Sequence, residues 1–88
     1  MDLHAFLAAN TQWTEEDQTL IGEFTYDGFS AVCAAVQKSM QLANELDHHP
    51  EVTFGYNTVK ITLTSHDAGN TITDRDVEFA QKFTQWPR

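Results

Sequence analysis

Three of the chain's four histidines, His48, His49 and His66, bracket the run DHHPEVTFGYNTVKITLTSH. Imidazole ordinarily titrates nearest neutrality, so three of them together are equipped to exchange protons or to bind a metal ion. Pro50 disfavours the helical region for His49, so a helix arriving from the N-terminal side must end near His48. Both histidines then sit among the unpaired carbonyls of a helix C-terminus, with Asp47 and Glu51 beside them, surroundings that suit a ring donating a proton. A zinc or iron site built from His48, His49, His66 and Asp76 is a competing reading. Against it, adjacent histidines at a helix end project in different directions, and the sequence has neither an HExxH helix nor paired cysteines. A third reading leaves the histidines as solvated or capping groups without chemistry.

The elements that must position these residues follow from periodicity. A short helix is expected from Asp2, its N-cap, to Ala9, with Leu3, Phe6 and Leu7 on one face. Two strands, Gln12 to Glu15 and Thr19 to Tyr26, flank the polar turn EDQ as a hairpin. Asp27 then caps a long amphipathic helix reaching the histidine pair, with Phe29, Val32, Cys33, Val36, Met40 and Ala43 on its core face. A second stripe, Ala31, Ala35, Leu42 and Leu46, widens the apolar surface toward either a broad core or a subunit interface. Two further strands, Val52 to Phe54 and Thr58 to Ser65, surround Gly55-Tyr56-Asn57, with Val59, Ile61 and Leu63 inward. By that alternation His66 lies on the side away from the core. Thr73 caps a last helix to about Gln85, with Asp74 and Asp76 in its first turn and Val77, Phe79, Ala80 and Phe83 buried. The order αββαββα predicts an α+β fold, a four-stranded antiparallel sheet with helices packed on one face, formed by residues 1–88 as one domain.

Composition narrows the partners. A chain of 88 residues buries only about 60–65% of its extended surface, which leaves room for one economical core. Its formal charge of -8, from 13 acidic and 5 basic residues, repels phosphate backbones and anionic headgroups, so neither nucleic acid nor membrane is expected as a partner. With Cys33 the only cysteine, no intrachain disulfide forms, and its place on the core face makes it structural rather than nucleophilic. The start MDLHAFLAANTQ lacks the basic and apolar regions of a secretory signal, and no run reaches the roughly 20 apolar residues of a membrane span. A soluble, cytoplasmic protein is the expectation. His4 reads as a surface residue, Trp86 as helix packing, and Tyr56 as a half-buried strand-end residue.

The set HHPE, Tyr56, Val59, SHD at Ser65 to Asp67, Gly69 and DRD ending at Asp76 resembles the pterin-4a-carbinolamine dehydratase family. Trp13, Leu20, FTYDGF from Phe24 to Phe29 and the LDHHP helix end extend the likeness from about Trp13 to Phe83. The resemblance implies the same α+β fold. It implies an enzyme that dehydrates 4a-hydroxytetrahydropterin to quinonoid dihydropterin, with no metal and no bound cofactor, in recycling the tetrahydrobiopterin oxidised by aromatic amino acid hydroxylases. It implies a homodimer or homotetramer, and animal members also serve as dimerisation cofactors of a homeodomain transcription factor.

By the same resemblance His48, His49, His66 and Asp76 are the catalytic residues, and Asp47 and Arg75 lie near the pterin. Of these, His48 and His66 are the expected proton-transfer pair, with acid and base unassigned, and His49 binds or orients the substrate. Asn44, also at the expected pterin site, is a departure: many members carry a carboxylate there, one turn before His48. The stretch from His66 to Asp76 also holds one residue more than in the animal members, in the AGNT loop. These departures keep open a non-catalytic interaction or assembly module on the same fold.

Overall fold

The computed structural model describes residues 2–87. The chain runs α1 (Leu3–Ala9), β1 (Trp13–Glu16), β2 (Thr19–Thr25), α2 (Phe29–Leu46), β3 (Glu51–Phe54), β4 (Thr58–Leu63) and α3 (Asp74–Gln85), with a 3-10 turn over His66–Ala68. The four strands form one antiparallel sheet in the order β1-β2-β4-β3. This is the α+β architecture and the αββαββα order that the sequence predicts.

Local chemistry accounts for the ends of these elements. The Asp2 carboxylate accepts the Ala5 backbone N–H at 3.0 Å and starts α1. Asp17 and Gln18, both at positive φ, form the two-residue turn joining β1 to β2, a geometry whose twist matches antiparallel strands. At the far end of the sheet, Tyr26 N donates to Asn57 O at 2.7 Å and ties β2 to the turn before β4. Gly28 rather than Asp27 occupies the N-cap of α2, without a side-chain hydrogen bond.

Leu20, Gly22 and Phe24 of β2 alternate with Val59, Ile61 and Leu63 of β4 to make the buried face of the sheet. Gly22 is required by a close approach: the ring of Trp13, opposite it on β1, would lie 2.8 Å from any Cβ placed there. That ring stacks edge-on with Phe24, which meets Phe83 of α3, and its Nε1–H donates to Thr84 Oγ1 at 2.7 Å. Trp86 packs on Phe83 at the end of the same helix. The predicted buried side of α3 is observed in full.

The orientation of α2 differs from the expectation. The residues it turns inward are Val32, Ala35, Ser39, Leu42 and Ala43, with Ala31, Val36 and Leu46 partly buried. Of the second stripe, which the sequence left between a broad core and a subunit interface, Ala35 and Leu42 are core. Cys33, read as core, is exposed, as are Phe29 and Met40. The reason is a rotation about the helix axis: Ser39 is fully buried because its hydroxyl donates to Val36 O at 2.6 Å, a local bond that lets a polar residue take a core position. Phe29 meets Phe54 of β3, whose strand lies at the sheet edge. Tyr56, read as half-buried, is exposed in the turn between β3 and β4. No helix among the described residues is long and apolar enough to cross a membrane.

Candidate active site

Three element ends meet beside the sheet. The first is the C-terminus of α2, where Asp47 adopts the left-handed conformation at φ 48 and its N–H returns to Ala43 O. The His48 N–H donates to the same carbonyl at 3.1 Å, the six-residue closure of a Schellman-type end. The chain therefore turns sharply at Asp47, which carries His48 inward and leaves His49 exposed before Pro50. The second is the end of β4, which stops at Leu63, two residues before the predicted Ser65. Ser65 keeps the inward alternation of Leu63 and is fully buried, and His66 follows it, exposed, into the 3-10 turn. The third is the N-terminus of α3, capped at Thr73.

Asp76 organises the interior of this junction. Its side chain is fully buried, with Oδ1 2.5 Å from His48 Nε2. Oδ2 accepts the Ser65 hydroxyl at 2.7 Å and the Thr73 backbone N–H at 2.8 Å. The second of these bonds caps α3, so one carboxylate both starts a helix and fixes an imidazole. Ser65 Oγ lies 2.7 Å from Thr73 Oγ1, which joins the strand end to the helix cap. With Nε2 committed to Asp76, the atom that His48 has left for other chemistry is Nδ1, and it is not a buried atom without a partner.

Outside this network lies an open cleft of about 340 Å3 lined by Asp47, His48, His49, Thr64, His66, Asp67 and Arg75. The Arg75 guanidinium donates to Asp67 through Nη2, at 2.6 and 2.7 Å from the two carboxylate oxygens. His66 Nδ1 lies 2.7 Å from Asn70 Oδ1. Five predicted site residues, Asp47, His48, His49, His66 and Arg75, thus share one cleft. Asp76 stands behind His48 rather than in the cleft, and Asn44 is exposed one turn earlier on α2 without lining it. A larger hollow of about 680 Å3, lined by Glu23, Thr53, Lys60 and their neighbours, contains no histidine and offers no comparable chemistry. Among the described residues, no group of three or more His, Cys, Asp or Glu side chains is placed to hold a metal ion.

Sequence reasoning quoted Ser65 and Asp67 within the SHD motif and Asn70 within the AGNT loop, but gave none of the three a role in the site. Ser65 was within reach of the strand alternation, since it is in phase with Leu63 and directly precedes His66. Asp67 and Asn70 depend on how the turn folds back, for which no periodic signal exists.

A sheet with its helices, and histidines from a helix end and a strand end around one cleft, define an α+β protein whose cleft gathers side chains able to exchange protons. The sequence matches the family described as pterin 4 alpha carbinolamine dehydratase over residues 1–86, and the chain belongs to that family. A relative from Thermomicrobium roseum is 36% identical over 73 residues, covering 83% of this chain and 77% of its own. One from Bordetella avium is 39% identical over 83 residues, covering 92% and 76%. The names of both assign pterin-4-alpha-carbinolamine dehydratase activity provisionally. The crystal structure of a transcriptional coactivator/pterin dehydratase from Brucella melitensis superposes with a TM-score of 0.83 at 30% identity, covering 93% of this chain and 88% of that one. A pterin dehydratase-like protein identified as a RuBisCO assembly factor in the alpha-carboxysome shares the fold, with a TM-score of 0.66 at 21% identity over 81% of each chain.

Proposed function

We propose that this protein dehydrates 4a-hydroxytetrahydropterin to quinonoid dihydropterin by histidine acid–base chemistry. The observation that carries the reading is the convergence of His48, His49 and His66 on one cleft, in a chain of this family. The cleft volume falls within the range of small-molecule sites. The reaction moves two protons. One is delivered to the C4a hydroxyl as the C–O bond breaks, and the other leaves N5, whose N–H electron pair closes the new double bond to C4a. Each transfer asks for a group that exchanges protons near neutrality. His48 and His66 form that pair, while His49, Asp47 and Arg75 orient the pterin. The elimination changes no overall oxidation state, so it asks for no redox cofactor. The setting is cytoplasmic recycling of tetrahydrobiopterin.

Further copies of the chain cover the apolar patch of Phe29, Cys33, Met40 and Phe54, giving a homodimer or homotetramer. The same patch favours a second reading, an interaction or assembly module on this fold, as the carboxysomal RuBisCO assembly factor is identified to be. Rapid mixing separates the two. The decay of freshly generated 4a-hydroxytetrahydropterin should accelerate in proportion to added protein, whereas an unchanged decay would leave the module reading.

A further inference from the structure

We propose that Asn70 is a positioning residue that decides which nitrogen of His66 meets the substrate. The inference rests on the reading of the cleft as a dehydration site. The His66 ring is exposed, and its Nδ1 lies 2.7 Å from Asn70 Oδ1. An amide oxygen only accepts, so Nδ1 carries the hydrogen, and in the neutral ring Nε2 is left with the lone pair. An imidazole in water favours the opposite tautomer, so the bond to Asn70 selects the minor form.

Asn70 is suited to the task by its backbone as well as its amide. It sits at φ 60, in the left-handed region that asparagine tolerates better than most residues, directly after Gly69 at φ 78. Its N–H donates to Ser65 O at 3.0 Å, and Ser65 N donates to Thr71 O at 2.9 Å, so the loop closes on itself at Ser65. The Thr71 hydroxyl donates to Ala68 O at 3.1 Å and braces the turn from within. Ser65 is also the residue whose hydroxyl reaches Asp76 Oδ2. The anchored loop therefore bears on both histidines, on His66 directly through Asn70 and on His48 through Ser65 and Asp76, and the two rings are held at opposite nitrogens. His48 is held through Nε2 and presents Nδ1, while His66 is held through Nδ1 and presents Nε2. A flip or a change of tautomer at the His66 ring would present a hydrogen in place of the lone pair on its neutral form.

The test reads the tautomer directly, by long-range nitrogen–proton NMR of the full-length, 15N-labelled protein above the histidine titration range. His66 should carry its hydrogen on Nδ1 in the parent protein. Asn70→Gly keeps the left-handed backbone and deletes the amide, so the hydrogen should move toward Nε2 with the amide spectrum otherwise folded. Asn70→Asp retains an acceptor and should restore the Nδ1–H form. In the dehydration assay Asn70→Gly should lower kcat about tenfold, as loss of an outer-shell partner does, with KM little changed, and Asn70→Asp should recover most of it. An Nε2–H ring in the parent protein, or the same tautomer with and without the amide, would overturn the inference. If the parent protein dehydrates nothing, the proposed function fails, and the tautomer spectra still decide the role of Asn70.

Discussion

At the scale of single residues, the site depends on a carboxylate with no solvent exposure of its own. Asp76 receives the Ser65 hydroxyl and the Thr73 N–H, and it holds His48 Nε2. Asp76→Ala would strand these groups in a dry interior and remove a helix cap, costing about 2–4 kcal/mol. Urea unfolding should show the midpoint falling while the slope stays constant. A loss under about 0.5 kcal/mol, the range of ordinary surface substitutions, would mean that the network is not holding the junction together. Asp76 was legible in the sequence as a helix-opening aspartate, because first-turn carboxylates follow a local rule. Its burial was not legible, since that depends on Ser65 and His48 arriving from two distant stretches of chain.

At the scale of elements, α1, the hairpin and α3 were legible because each combines a periodic apolar pattern with a recognisable boundary residue. The sequence placed α2 correctly along the chain but not about its axis. Phe29, Cys33 and Met40 are as apolar as the residues that face the sheet, and the polar Ser39 takes a core position through a bond to its own helix. Periodicity finds that a helix has an apolar side, yet two adjacent stripes leave the choice of core side to tertiary packing. β4 ended early for a related reason: Ser65 continues the strand's alternation but spends its N–H on Thr71 instead of on a neighbouring strand. The hairpin register supplies a sharper test. Gly22→Ala places a Cβ against the Trp13 ring, and the overpacking should cost about 1–3 kcal/mol. For a domain of this size that lowers the melting temperature by roughly 4–8 °C per kcal/mol. Gly28→Ala, where a Cβ meets nothing within 4 Å, serves as the comparison in the same melting experiment. Equal melting temperatures for the two variants would contradict the packing described for Trp13.

At the scale of the whole molecule, the apolar surface shared by α2 and the edge strand β3 is more than one exposed residue, and Phe29, Met40 and Phe54 are each about half exposed. Contiguous patches of this kind mark association sites. Sedimentation at micromolar concentration should show a species heavier than the 10.0 kDa chain, and Phe54→Glu should shift it toward the monomer. A parent protein that sediments only as the monomer would contradict association through this face. Catalysis by the cleft is tested most directly by the turnover of His66→Ala. Because His66 is exposed and lies outside the core, its removal should leave the melting temperature nearly unchanged while lowering kcat by about 10²- to 10⁴-fold, the usual contribution of one general acid or base. His66→Ala protein that is folded and dehydrates 4a-hydroxytetrahydropterin at the parent rate would contradict the account.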